Sequence, residues 1–192
     1  MSQFAGAFND NLLKGILLLL VAVGNEWNGV LGDGGTGWIS VMLTVPFILF
    51  LGLAGQLADR YSKRAMVLWV RLTELPIVVV IGIGLLLDSP WLTIAGFLAL
   101  ATQSAFFNPP KYGMIREVTG PGQLSRANGV ISLATNISII AGMAVSGQLL
   151  EQGRYLVALL LFGITILGVV SAWSIPKLPA MNPGVNIRWN PF

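Results

Sequence analysis

Six stretches of this 192-residue chain are long and apolar enough to cross a bilayer, and they constrain the fold more than any other feature. Crossing ~30 Å of hydrocarbon takes ~20 helical residues at ~1.5 Å each. The stretches lie near Ser2–Val23, Gly37–Leu57, Ala65–Leu87, Trp91–Phe107, Ala127–Leu150 and Leu156–Trp173. Only 10% of the residues are charged, against about a quarter in a soluble domain. The sequence therefore predicts an all-α polytopic membrane protein, with a helical bundle over residues 1–175 and an extended Pro- and Asn-rich tail over 176–192. The first stretch is longer than a signal-peptide core and lacks a charged leader, so it reads as a retained helix.

The joints between spans carry the turn residues: GNEWNGVLGDGGTG, DRYSKR, DSP, NPPKYGMIREVTGPGQLSR and EQGR. A cytoplasmic N-terminus puts Arg60, Lys63, Arg64, Lys111, Arg116, Arg126, Lys177 and Arg188 inside. Outside lie Glu26, Asp33, Asp88 and Glu151, with Arg154 as the one basic residue. That asymmetry satisfies the positive-inside rule. Trp38, Trp91 and Trp173 fall where interfacial anchors are expected. The chain has neither Cys nor His, which excludes disulfides, Cys or His metal sites and His-based catalysis. No catalytic residue, metal or cofactor is expected, and the dispersed charge offers no nucleic-acid surface.

The residues that resist a purely lipid-facing reading begin at NDNLLK. Asp10 and Lys14 fall near the middle of the first span, where an ionised side chain costs at least ~3 kcal/mol. Gln3, Gly6, Asp10 and Lys14 share one stripe at helical spacing, flanked by Asn9 and Asn11. Either Asp10 and Lys14 neutralise each other, or the stripe borders a ligand or ion. Arg71 and Glu74 repeat the pattern in the third span, ~10 Å inward from Arg64 by helix rise. There a structural ion pair, snorkelling of Arg71 and ligand contact are all open. Pro76 follows as a candidate kink. In the fifth span Asn128, Ser132, Thr135 and Asn136 share a face, with Gly142 and Gly147 as candidate close approaches. Such residues either join helices or line a cavity, as do Gln103 and Asn108 in the fourth.

Two motifs extend this reading. GQLADRYSKR, Gly55 to Arg64, resembles the signature loop of the major facilitator superfamily, G-x-L-A-D-R-x-G-R-K/R, with Ser62 in place of the usual Gly. Gly55 would let helices approach. Asp59 would cap a helix at the turn, and Arg60, Lys63 and Arg64 would meet lipid phosphates. The resemblance implies that this loop acts as a conformational latch. QFAGAFNDNLLK and QSAFFNPPKYGMIREV…LSRANGVI resemble the lysophospholipid transporter branch of that superfamily. Its first-helix motif is matched by Phe8, Asp10 and Asn11. Its later motifs are matched by Pro109, Lys111, Tyr112 and Gly113, then Ala127, Asn128 and Gly129.

This resemblance implies one six-helix half of a twelve-helix transporter, built as two inverted three-helix repeats. The Gly-Gln-Leu at Gly55 and again at Gly147 is a weak echo of that repeat. It further implies a bacterial inner membrane, a second six-helix half and alternating access. Lysophospholipid would move from the outer to the inner leaflet for reacylation, by an acyltransferase partner or fusion. Substrate contacts would come from Asp10, Asn11, Lys14, Arg71, Glu74, Asn128 and Asn136, with Asp10 taking an amine and Lys14 or Arg71 a phosphate. Export of drugs or transport of small hydrophilic solutes by the same superfamily is the alternative. A membrane acyltransferase finds no H-x-x-x-x-D pattern here.

Overall fold

A computed structural model describes residues 2–23, 27, 29–118 and 121–175. The predicted tail over 176–192 lies outside the described residues. Among the described residues, six helices are long and apolar enough to cross a membrane. These are α1 (Ser2–Leu18, continued by a π-helical turn over Leu19–Val23), α2 (Gly35–Arg60), α3 (Lys63–Leu86), α4 (Pro90–Val118), α5 (Leu124–Gln152) and α6 (Arg154–Trp173). In hydrocarbon each backbone amide must be matched within its own segment, so helices are the local solution for such sequences.

The largest departure from the sequence expectation is α4, which runs to Val118 instead of ending near Phe107. Pro109 and Pro110 withdraw two amide donors but keep helical φ, and the helix continues through both. Asn108, Lys111 and Tyr112 are thus on a helix, not in a loop. A second departure concerns DRYSKR. Helix α2 extends to Arg60, closed by Tyr61 N–H donating to the Leu57 carbonyl at 2.9 Å. Asp59 therefore stands in the last turn of α2, exposed, and Ser62 takes the N-cap position of α3. Gly55 makes no close approach within the bundle, since a Cβ there would meet nothing within 4 Å. Lys63 is buried with its stem against Gly113 of α4, and Arg64 Nη2 donates to the Trp173 carbonyl at 3.3 Å. Arg60 lies over the Tyr61 ring at 5.7 Å.

Packing follows an exchange of the first three helices with the last three. Helix α1 lies chiefly on α5 and α6; α4 lies chiefly on α2 and α3; α3 also meets α6. A unit of three crossings ends on the opposite side from where it began, so its repetition is inverted. Helix α1 is the most enclosed, 61% buried over its span, whereas α2 and α5 are each 17% buried. The core forms where Leu12, Leu13 and Ile16 meet Ile81, Phe97 and Leu161. Helix α5 buries only a small-residue stripe, Ser138, Gly142 and Ser146. At Gly142 a Cβ would come within 2.8 Å of the Phe8 carbonyl and 2.9 Å of the Leu12 amide. Backbones approach this closely only over glycine, the packing mode that replaces the hydrophobic drive inside a membrane.

At the end carrying the α3–α4 turn, three connections are tied by one carboxylate. Trp27 Nε1 donates to Asp88 Oδ1 at 2.6 Å, and Arg154 Nη1 meets the same oxygen at 2.6 Å. The Arg154 guanidinium also lies 5.5 Å from the Trp27 ring centre. The Trp27 hydrogen bond, then Arg154, hold the Asp88 carboxyl below its ordinary pKa of 3.8.

Two outcomes follow. Gly142→Ala is expected to destabilise the protein by ~1–3 kcal/mol through overpacking. Gly147→Ala, where a Cβ meets only Leu19 at 3.8 Å, should be near neutral; detergent thermal melts compare the two. For Asp88 the depressed pKa means its contribution is full above pH 3.8 and fades as pH falls through the lower folded value. The melting-point gap between wild type and Asp88→Ala should hold constant from pH ~8 to ~5 and close below ~4.

Candidate functional site

A cavity of about 320 Å³ opens along the face of α1 that carries the polar stripe. Gln3, Gly6, Asp10 and Asn11 line it from α1, opposite Ser104, Asn108 and Lys111 of α4, with Arg71 of α3 at one wall. The α4 residues recur at steps of four and three, the spacing that puts them on one helical face. Thr135 of α5 closes the far side and accepts a hydrogen bond from Gln3 Nε2 at 3.0 Å.

Asp10 Oδ2 accepts from Ser104 Oγ at 2.7 Å, while its Oδ1 is buried without a hydrogen-bond partner among the described residues. Asp10 and Lys14 form no ion pair with each other. Lys14 is half-buried one turn further along α1 and outside the cavity lining. Self-neutralisation on one helix is therefore not what the fold makes of these two residues. Asn11 lines the cavity and bonds back to the Ala7 carbonyl at 2.8 Å. Lys111 is 6% exposed, and its Nζ donates to Asn108 Oδ1 at 3.1 Å and lies 4.3 Å from the Tyr112 ring centre.

Behind the cavity sits a buried polar network that joins four helices. Arg71 Nη1 meets Glu74 Oε2 at 2.5 Å, with the two side chains 2% and 0% exposed. Arg71 Nε donates to Ser2 Oγ at 2.9 Å, its Nη2 donates to the Ser2 carbonyl, and its guanidinium stacks 4.3 Å from the Phe107 ring centre. Glu74 Oε1 accepts from Asn9 Nδ2 at 3.3 Å and from Thr165 Oγ1 at 3.2 Å; Oε2 accepts from Gln103 Nε2 at 3.4 Å. Gly6 makes room for the guanidinium, because a Cβ there would stand 2.7 Å from Arg71 Nη2. The ion-pair alternative for Arg71 and Glu74 is thus realised, and Arg71 is committed inward instead of snorkelling.

Of the sequence-named candidates, Asp10, Asn11 and Arg71 line the cavity, and Glu74 stands behind it as the partner of Arg71. Asn128 and Asn136 are exposed on α5 and outside the lining, where Thr135 takes the wall position. Gly55, Asp59, Arg60, Lys63 and Arg64 gather at the α2–α3 turn, away from the cavity. Sequence reasoning left out Asn9, Ser104, Lys111 and Thr165 as site residues. The α4 spacing of Ser104, Asn108 and Lys111 was available as a signal, hidden by treating the prolines as a helix end.

A six-helix membrane bundle with a polar cavity walled by its first and fourth helices has the form of half a solute transporter. The chain belongs to the Major Facilitator Superfamily, whose sequence profile matches residues 1–189. It is also similar to the lysophospholipid transporter LplT of Escherichia coli O1:K1 / APEC, of strain S88 and of strain UTI89. Each is 30% identical over 193 aligned residues, covering 99% of this chain and 45% of the relative. The chain thus spans a little under half the length of these relatives. No solved structure matches it.

Removing one partner of the buried pair strands the other. Glu74→Gln is expected to cost ~3–5 kcal/mol of stability. Arg71→Met combined with Glu74→Leu should cost distinctly less than the sum of the single changes, as a double-mutant cycle of melting or denaturant midpoints would show.

Proposed function

We propose that this chain forms the N-terminal half of a transporter that carries lysophospholipid from the outer to the inner leaflet, where it is reacylated. The observation that carries the reading is the cavity itself. A carboxylate with a bare, buried oxygen faces it alongside cationic side chains, at a depth where unpaired polarity is costly. Asp10 receives a headgroup amine, and Asn11 adds amide contacts. The acyl chain stays in the apolar surroundings that the bundle shares with lipid. Sequence similarity to the lysophospholipid transporters supports the same substrate class.

In this reading the N-terminus is cytoplasmic in a bacterial inner membrane, as the basic α2–α3 turn favours. The relatives' greater length leaves room for a second set of six helices. The sparsely buried faces of α2 and α5 are the surfaces on which that half would rock. The Arg60–Arg64 turn serves as the latch between states. An acyltransferase, fused or separate, consumes the delivered lipid.

The decisive experiment is uptake of labelled lysophosphatidylethanolamine by cells expressing the full-length protein. Asp10→Asn should lower uptake at least ~10-fold, the loss of one charge-assisted contact, with membrane expression preserved. Wild-type uptake in that variant removes Asp10 from the mechanism. Uptake of a drug panel in place of lysolipid would move the protein to the alternative substrate class.

A further inference from the structure

Asp10 and Arg71 are opposite charges in one cavity, and they do not close on each other. The guanidinium lies over Gly6, where a Cβ would stand 2.7 Å from Nη2, and Asp10 is one helical turn further along the same face of α1. That step is only ~6 Å of helix rise. Glu74 and Ser2 engage three of the five Arg71 N–H donors, so two are left without a hydrogen-bond partner among the described residues. An acid with a bare oxygen and a base with spare donors, one turn apart, are a natural pair. Asp10 turns to α4 instead, where its Oδ2 accepts from Ser104 Oγ at 2.7 Å.

Ser104 is itself backed by its neighbour Gln103. The Gln103 side chain is buried, and its Nε2 donates to the Val70 carbonyl at 2.8 Å and to Glu74 Oε2 at 3.4 Å. Both partners are acceptors, so they fix the amide with Nε2 toward α3 and leave Oε1 to Ser104 Oγ, 3.3 Å away. A hydroxyl has one proton, and two acceptors lie within its reach. Asp10 is the nearer and the charged one, so the proton goes there. Interhelical glue does not explain this choice. A neutral amide at position 10 would accept the same hydrogen bond without the cost of a mid-span carboxylate. We infer that Ser104, backed by Gln103, is a positioning residue that holds the Asp10 carboxylate off Arg71, so that the acid stays open to the amine of the transported molecule. The inference rests on the lysophospholipid reading for the identity of that amine. Without the hydroxyl, Asp10 swings to Arg71 and is quenched.

The test is uptake kinetics in cells expressing the full-length protein. Lysophosphatidylethanolamine, which carries an amine, is compared with lysophosphatidylglycerol, which does not. Ser104→Ala should raise the KM for the amine lipid at least ~10-fold relative to that for the amine-free lipid, with maximal rates changed less than ~2-fold. Ser104→Thr, which keeps the hydroxyl, should restore the wild-type ratio. Purified Ser104→Ala protein should melt no lower than wild type, because an Asp10–Arg71 pair replaces the lost hydrogen bond. An unchanged KM ratio, a ratio that Ser104→Thr does not restore, or a lower melting point (the mark of simple helix glue) overturns the assignment. Should Ser104→Ala fail to fold, Ser104→Cys, close in volume and a weak donor, carries the same comparison; failure of both makes Ser104 structural and likewise overturns it. The two readings separate cleanly. Lysophosphatidylethanolamine uptake that is lost in Asp10→Asn but untouched by Ser104→Ala sinks the positioning role and leaves transport standing. If neither lipid is taken up, binding of dodecylammonium against dodecanol to the purified protein decides. A Ser104-dependent preference for the ammonium upholds the positioning role without lysophospholipid, and its absence in wild type overturns both.

Discussion

Arg71 and Glu74 are almost wholly out of water, and an ion pair so placed is tolerable only while its remaining donors and acceptors are matched. The matching comes from every helix that borders the pair. Ser2 and Asn9 reach it from α1, Gln103 from α4 and Thr165 from α6. Each would lose its partner if its helix slid or rotated. The pair thus sets the register of α1, α3, α4 and α6 against one another, and a glycine makes room for it. Gly6 clears the guanidinium, since a Cβ there would stand 2.7 Å from Arg71 Nη2. The polar brace and the small-residue contacts are one device seen from two sides.

The two helices outside this brace are held differently. Helix α5 rides on α1 through Ser138, Gly142 and Ser146, and through the Gln3–Thr135 hydrogen bond across the cavity mouth. Helix α2 rides on α4 with Ala54 and Ala58 buried and Phe50 against Phe106 at 5.7 Å between ring centres. Lipid is as apolar as any leucine, so neither contact gains from the hydrophobic effect. What holds each is close dispersion contact over small side chains. Such surfaces fit a rigid group of four helices flanked by a helix at each side whose outer face remains available.

Length and hydropathy sufficed to place all six helices, because the bilayer imposes the same demand on every segment whatever its neighbours. The anomaly was legible too: Asp10 and Arg71 stand inside apolar stretches, as could be read directly from the residues around them. Partnership across helices was not. Periodicity says which residues share a face but not what that face meets. Pairing of Asp10 with Lys14 therefore stayed open beside a ligand-bordering stripe, whereas Asp10 turns to Ser104 on a helix ninety-four residues away in sequence. Gly55 and Gly142 were equivalent as letters, and only the crossing of α1 over α5 distinguishes them. Asn9 looked like a flank of the stripe until α3 and α6 supplied Glu74 and Thr165. The prolines at 109 and 110 concealed the last turns of α4, and with them the helical face that carries Lys111.

Once the partners are known, charges inside the bundle sort themselves by compensation instead of by residue type. Arg71 is cationic and at the cavity wall, yet three of its five N–H donors are engaged by Glu74 and Ser2, so loosening it would unseat the helices that define the site. Asp10 retains a bare oxygen, and Lys111 has a neutral amide as its hydrogen-bond partner. A fold that needed only stability would have no reason to keep either one, since apolar replacements of similar volume are neutral or better in a dry interior. Their retention at separate points of one cavity makes sense if both are completed from outside. Under the proposed transport reading, a molecule entering the cavity would supply the partners that the empty cavity leaves open. Polar cost tolerated in the empty state then becomes selectivity in the occupied one, while the compensated pair behind it keeps the walls in place.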